Sequence, residues 1–399
     1  MIIKHFKVTH LNQNKDLNFD LSFNQDINIL TGKNGSGKTT LLKLIWYLIS
    51  GHIERIIPNS TDENAIFEKI DIETDTFSLS MSDNRISETE KSQISKTEKK
   101  RKKERKKNGK CLFVQWDVGN GKQTKNISIA ECREKHFAQF LNQEILKVSK
   151  SSIFFPTFRR IEGGFFTTQQ EIKANSFEGA YFTIQRERVY HELEEGISNL
   201  SKVFSVRQHQ FMTSISTADI VNYIARQHTD ISEKTNKLQK ELAAFITERT
   251  VLASSDKEKG SALAEIQNKV DEVTQKTDKL LQPLTILSKL VADIFQYQGI
   301  KLTDNLTLGE ATNALSSEKL SSGEKQMLSF LCYNAFYDKG VIFIDEPELS
   351  LHVDWQRILF DILMEQETQN QLIVATHSPF IYSQFPDREL ILDNDKGGE

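Results

Sequence analysis

Residues 32–39 read Gly-Lys-Asn-Gly-Ser-Gly-Lys-Thr, between a short apolar run at 27–30 and a longer one at 41–49. No other stretch constrains the fold as tightly, because the octet needs a strand entering a tight turn and a helix leaving it. The pattern G-x-x-x-x-G-K-[ST] places Gly32, Gly37, Lys38 and Thr39 at fixed positions. Glycines let successive backbone N–H groups curl around an anion, and the helix N-terminus adds partial positive charge. The expected ligand is a nucleoside triphosphate, ATP, with its phosphates lined by Gly32, Asn34, Gly35, Ser36, Gly37, Lys38, Thr39 and Thr40. Lys38 is expected to neutralise the β- and γ-phosphates, and Thr39 to hold Mg²⁺ through its hydroxyl.

Roughly three hundred residues later, 341–346 read Val-Ile-Phe-Ile-Asp-Glu. Four apolar residues ending in two carboxylates suit a strand buried on both faces of a parallel sheet. Asp345 is then placed to hold Mg²⁺, and Glu346 to polarise a water for attack on the γ-phosphate. A solvated Asp-Glu pair ahead of Pro347 is the plainer alternative.

Upstream, 320–324 read Leu-Ser-Ser-Gly-Glu before an apolar helix at 327–336, and downstream an apolar run at 372–375 ends in Thr376-His377-Ser378-Pro379. Here the chain resembles a known superfamily. Leu320 to Glu324 resemble the signature of ABC-type ATPases. Asp-Glu-Pro-Glu-Leu-Ser-Leu-His at 345–352 is similar to the extended Walker B and D-loop of the RecF, Rad50, SMC and OLD relatives, and His377 matches their switch histidine. The resemblance implies an α/β fold, an ABC-type ATPase head in which a P-loop parallel sheet joins an antiparallel β subdomain. It also implies a homodimeric site: Ser321, Ser322 and Gly323 reach the γ-phosphate held by another protomer. Without that company the same Ser-Ser-Gly is an ordinary helix N-cap.

With 399 residues, 38% hydrophobic and 27% charged, the composition is that of a globular protein. No run approaches eighteen apolar residues, and the first residues lack a secretory apolar core, so a cytoplasmic protein without membrane contact is expected. Cys111, Cys132 and Cys332 show no metal-type spacing and read as free thiols. The net charge of −4 hides an asymmetry: 96–110 carries ten basic and two acidic residues. This run lies between strand-like segments at 77–82 and 112–116 and reads as an excursion from a hairpin. It suits nucleic-acid phosphates, an acidic phage trigger protein, or no partner at all as a solvated loop.

The N-terminal half of the head is assigned to 1–165, with the basic insertion at 83–110. Strands are expected at 2–8, 17–23, 27–30 and 67–72, and a helix at 129–146. Residues 166–300 are expected to form a helical insertion. From Leu263 to Ile294 apolar positions alternate spacings of three and four, a heptad seam. With a looser pattern at 220–245 and a polar turn at 253–261, it predicts a short antiparallel coiled coil, kinked at Pro283, with arms about 45 Å long. The C-terminal half of the head is 301–399. The 22 residues after His377 are too few for an appended Toprim nuclease domain. Asp393-Asn394-Asp395 reads as a solvated end. No glutamine stands where the family's Q-loop is expected, near 153–164, and Arg159, Arg160 and Glu162 are the candidates to replace it.

The resemblance extends to ATPases of antiphage systems such as PARIS and Septu, which hold a Toprim- or HNH-type nuclease in trans. The expected function is therefore ATP hydrolysis that controls an effector nuclease, with Glu346, Lys38 and His377 catalytic and Thr39 and Asp345 on the metal. The alternative is a RecF/Rad50-like repair ATPase that clamps duplex DNA.

Overall fold

The computed structural model describes residues 1–14, 16–56, 67–83, 111–119, 121–128, 136–157, 159–161, 200–215, 217–252, 256–294, 321–337 and 339–393. In chain order the elements are β1 (Ile3–Thr9), β2 (Phe19–Ser22), β3 (Ile27–Thr31), α1 (Lys38–Ile49), β4 (Lys69–Thr74), β5 (Ser78–Asp83), β6 (Cys111–Asp117) and β7 (Gln123–Ser128). Next come α2 (His136–Val148), β8 (Ser152–Phe155), β9 (Arg160–Ile161), β10 (His209–Phe211), β11 (Ser214–Ile215), α3 (Thr217–Leu252) and α4 (Asp256–Ile294). The last are α5 (Ser322–Phe336), β12 (Val341–Asp345), α6 (Val353–Glu365), β13 (Gln371–Ala375), α7 (Pro379–Tyr382) and β14 (Glu389–Ile391).

Because side chains on a strand alternate faces, an apolar run with no polar break must be buried on both sides. The apolar stretches of β8, β12 and β13 behave so, and β3 is buried on both faces as well, its Asn28 side chain donating to the carbonyls of Asn24 and Leu372. Leu30, Phe154, Val341, Phe343, Ile373 and Ala375 pack with α1 and the antiparallel sheet. Their neighbours Ile29, Ile153, Phe155, Ile342, Ile344 and Val374 pack with α5, α6 and the base of the α3–α4 pair. The strands form an all-parallel sheet in the order β10-β8-β12-β13-β3-β14. A second, antiparallel sheet runs β2-β1-β4-β5-β6-β7. Helix α1 lies between the two sheets, with Trp46 fully buried. The expected α/β architecture, a parallel P-loop sheet beside an antiparallel one, is the one observed.

Strands β5 and β6 pair antiparallel down to Asp83 opposite Leu112, so the segment carrying the basic run leaves from the closed end of a hairpin. The run itself, with Cys132, Glu162, Leu320, Asn394 and Asp395, lies outside the described residues.

Helices α3 and α4, of 36 and 39 residues, pair antiparallel. Near the tip Arg249 Nε lies 3.1 Å from a Glu265 carboxylate oxygen, and at the base Ile220 and Ile224 share a core with Leu287 and Val291. Helix α4 already begins at Asp256, inside the stretch expected as a turn, and runs on through Pro283. The seam also departs from expectation. Val273, Leu284, Leu287 and Val291 are buried, whereas Leu263 and Val270 face outward at 66% and 36% exposure. A straight helix of 3.6 residues per turn drifts off a strict seven-residue repeat, and the outer positions lose the seam first.

Candidate functional site

The loop after β3 turns on its glycines. Gly35 and Gly37 have φ of 84° and 94°, and Gly32 has φ 148°, where an added Cβ would also lie 2.9 Å from Ser36 Oγ. Asn34 and Gly35 are exposed at the tip, Ser36 is buried, and Thr39 and Thr40 are half-buried in the first turn of α1. Lys38 is buried; its ammonium donates to the carbonyls of Gly32 (2.9 Å) and Lys33 (3.0 Å). Burial pulls its pKa down, opposed by the nearby carboxylates of Glu346, Asp345 and Glu348. The arrangement holds a cation under a glycine arch at a helix N-terminus, the geometry that receives phosphate.

Asp345, at the C-terminal end of β12, is fully buried. Thr39 donates its hydroxyl to one carboxylate oxygen at 3.0 Å, and Thr157 donates to the other. The next residue, Glu346, has φ 49°, in the left-handed region. Its N–H donates to Ala375 O (2.8 Å), and its carboxylate lies 3.9 Å from His377 Nε2. Desolvation raises the Glu346 pKa above its ordinary 4.5, helped by Glu348 and Asp345 and opposed by His377 and Lys38. Glu348 anchors the histidine loop, accepting from Thr376 Oγ1 (2.8 Å) and from the His377 N–H (2.7 Å).

Arg159 braces this end of β12 from behind. Its guanidinium donates to the carbonyls of Pro156 (2.8 Å), Asp345 (2.8 Å) and Glu346 (3.0 Å), and it lies over the Phe330 ring of α5. Burial lowers its pKa to about 10, so it stays charged at neutral pH.

Ser321 caps α5, its hydroxyl accepting from the Glu324 N–H while the Glu324 carboxylate accepts from the Ser321 N–H. Ser322 opens the helix and Gly323 is buried against the loop before α6. A Cβ on Gly323 would come within 2.5 Å of Ser350 O. Gln326 donates to Pro347 O at 2.7 Å, so the start of α5 is keyed to residues 347–350.

The structure thus gathers Lys38, Thr39, Asp345, Glu346 and His377 at the C-terminal ends of β3, β12 and β13, and places Ser321, Ser322 and Gly323 on α5. Oxygen donors with one carboxylate suit Mg²⁺, which leans on one or two carboxylates and the phosphates themselves. Among the described residues no group of three or more His, Cys, Asp or Glu could hold a metal ion unaided. Two residues of the site carry no role legible in the sequence: Glu348, which lies within the motif at 345–352, and Thr157. A lone threonine after Pro156 carries no motif, but its place just past β8, the strand beside β12, was a usable signal. The guanidinium of Arg159, one of the candidates to replace the Q-loop glutamine, holds carbonyls of its own chain. The Arg160 and Glu162 side chains lie outside the described residues.

A glycine arch, a buried lysine, a threonine–aspartate pair and a following glutamate are the features expected of a P-loop ATPase domain. The chain matches the AAA ATPase domain family AAA_15 over residues 1–382 and belongs to that family. It is 39% identical over 75 residues to the endonuclease GajA of Bacillus cereus (strain VD045), a match covering 17% of this chain and 13% of that protein. It is 42% identical over 76 residues to the DNA replication and repair protein RecF of Glaesserella parasuis serovar 5 (strain SH0165), covering 18% of this chain and 21% of RecF. The chain therefore spans a small part of these relatives' lengths. Among solved structures, the Smc head domain of Pyrococcus furiosus bound to the C-terminal domain of ScpA superposes with a TM-score of 0.36 at 12% identity, over 96% of this chain and 91% of that one. A second Smc head, bound to the ScpA C-winged helix domain, gives 0.38 at 10% identity with the same coverage. None of the described helices is long and apolar enough to cross a membrane.

Proposed function

We propose that this chain binds and hydrolyses ATP with Mg²⁺, and that the ATP-bound form controls a nuclease effector carried on another chain, in bacterial antiphage defence. The observation that carries the hydrolytic part is the hydrogen bond from Thr39 to Asp345, which joins the two motif halves across 306 residues, with Glu346 and His377 3.9 Å apart beside it. Lys38 and the backbone of 32–40 hold the phosphates. Thr39 and Asp345 would hold Mg²⁺, whose charge offsets that of the phosphates. Glu346 takes a proton from the attacking water as the water oxygen bonds to the γ-phosphorus and the β–γ bridging oxygen leaves with ADP, and His377 lies where the γ-phosphate is sensed. Ser321, Ser322 and Gly323 of a second copy close the site, the α5 N-terminus facing phosphate in trans. ATP thereby drives assembly of at least a dimer, and hydrolysis or a trigger at the basic run releases a Toprim- or HNH-type partner.

The similarity to RecF favours a second reading, a clamp on duplex DNA. Pull-down of wild type and Glu346→Gln from the native operon, with each complex sized, separates the two. A nuclease retained by the ATP-locked variant and lost on phage exposure supports the effector reading. Salt-sensitive duplex DNA as the ATP-dependent ligand replaces it with the clamp. Absence of ATP hydrolysis by wild type refutes the enzymatic part.

A further inference from the structure

We propose that Thr157 is the residue by which this chain reads the metal on its nucleotide, in the place where related sites use a glutamine. The inference rests on the ATP-binding reading above and concerns how that site is tuned. Strands β8 and β12 are in parallel register, Phe155 beside Ile344, so the chain leaving β8 arrives at the level of Asp345. Thr157 is the residue there whose side chain reaches the carboxylate. Its hydroxyl donates to Oδ2 of Asp345, while Thr39 donates to Oδ1. Both oxygens of the metal-binding carboxylate are thus held by hydroxyls, one from the phosphate loop and one from the turn after β8.

A hydroxyl has one proton and two lone pairs. Donating to a carboxylate suits the metal-free state. A cation held at Asp345 would draw the carboxylate's electron density to itself and weaken the bond from Thr157, so the position of the hydroxyl would follow whether the metal is present. The turn has room for this adjustment, for Thr157 also borders a cavity of about 220 Å³ walled in part by Lys43, Phe204 and Phe211. Two residues on, Arg159 holds the Asp345 and Glu346 carbonyls and reaches Phe330 on α5. A shift at Thr157 is therefore mechanically linked to the attacking-water glutamate and to the helix whose N-terminus carries Ser321 to Gly323. Thr157 acts through Asp345 and is a positioning residue.

The test measures ATP affinity with and without Mg²⁺, using a fluorescent ATP analogue in the full chain carrying Glu346→Gln so that nothing turns over. Thr157→Val removes the hydroxyl and keeps the shape, and Thr157→Ser keeps the hydroxyl. Loss of one such hydrogen bond is expected to cut the Mg²⁺-dependent gain in affinity about tenfold. Metal-free affinity is expected to stay within twofold, and serine to restore the gain. Bound Mn²⁺, followed by its paramagnetic resonance spectrum, is expected to show the same loss. If valine retains the full Mg²⁺ gain, or lowers both affinities alike without rescue by serine, Thr157 has no metal-reading role. If the parent Glu346→Gln chain binds no ATP with or without Mg²⁺, the nucleotide reading falls and this inference with it. Thr157→Ala makes the same comparison should valine crowd Asp345.

Discussion

Replacing Arg159 with methionine tests whether the Glu346 geometry is held from outside the loop that carries it. Glu346 occupies the left-handed region at φ 49°, a conformation costing about 1–3 kcal/mol for a residue with a side chain, which persists only when its surroundings impose it. Arg159 donates to Pro156, Asp345 and Glu346 at 2.8–3.0 Å, and these charge-assisted bonds are worth about 1.5 kcal/mol each at the low end of their range. The sum is about 4–5 kcal/mol. Water entering the partly buried site and methionine packing on Phe330 offset part of this, leaving an expected loss of about 2–4 kcal/mol in stability. The catalytic effect is larger than the stability loss suggests. Once the two carbonyls are released, Glu346 relaxes toward ordinary backbone angles and its carboxylate shifts by about 1 Å, a displacement that costs about 10²-fold in kcat. ATP affinity, set at the 32–39 loop, is expected to change less than threefold. Arg159→Lys is expected to recover stability in part but little rate, since one ammonium cannot reproduce a planar fork across several carbonyls. Steady-state ATPase kinetics beside urea unfolding supply both numbers. Methionine with kcat within twofold of wild type and a clear loss of stability would refute the idea that Arg159 positions the base.

The other predictions concern separate parts of the molecule. Gly323→Ala pushes a methyl to 2.5 Å from Ser350 O, and the overpacking is expected to cost about 1–3 kcal/mol and to displace the α5 N-terminus; ATP binding by the monomer should survive while ATP-dependent dimerisation, followed by light scattering, is lost. Because desolvation raises the Glu346 pKa above 4.5, its basic form is lost as pH falls through that raised value; kcat should drop about tenfold per pH unit below an inflection above 4.5, and a profile whose acid limb has no inflection above 4.5 would remove Glu346 as the base. His209 is buried between the Ser149 and Ser152 hydroxyls at 3.0 and 2.8 Å, and desolvation drops its pKa to about 3. It stays neutral in the fold while the unfolded chain takes up a proton below about 6.5, so stability present at pH 7 should fall by about 2 kcal/mol at pH 5. In His209→Gln, chemical denaturation should show that part of the pH dependence gone.

Much of the fold could be read from the sequence wherever one residue pattern had one physical solution. The octet at 32–39 required β3 and α1, the four apolar residues before Asp345 required a strand buried on both faces, and the α3–α4 pair announced itself by spacing. Strands β10 and β14 could not be read, because three residues carry no periodicity and His209–Phe211 and Glu389–Ile391 are extended only through pairing with β8 and β3. The site divides in the same way. Lys38, Thr39, Asp345 and Glu346 are legible because their chemistry fixes their spacing along the chain. Thr157 and Arg159 act on a carboxylate and on carbonyls, and Glu348 accepts from the Thr376 hydroxyl and the His377 N–H; sheet register brings these partners together, and no spacing in the sequence encodes that. The outward turn of Leu263 and Val270 shows the converse, a heptad that the sequence displays and the helix geometry does not follow throughout.

Strand β3, so early in the chain, has β13 on one side and β14 on the other, and the Asn28 side chain meets the carbonyl of Leu372, 344 residues away. During synthesis both edges of β3 stand open until nearly all the described sequence has left the ribosome. An unpaired apolar strand is a template for wrong pairing. The phosphate loop therefore cannot mature ahead of its acidic partner strand, and assembly of the site is a single late event whose rate is set by long-range closure rather than by local helix formation. Nascent chains stalled before β13 should carry the whole 32–39 motif and yet be the species most in need of a chaperone.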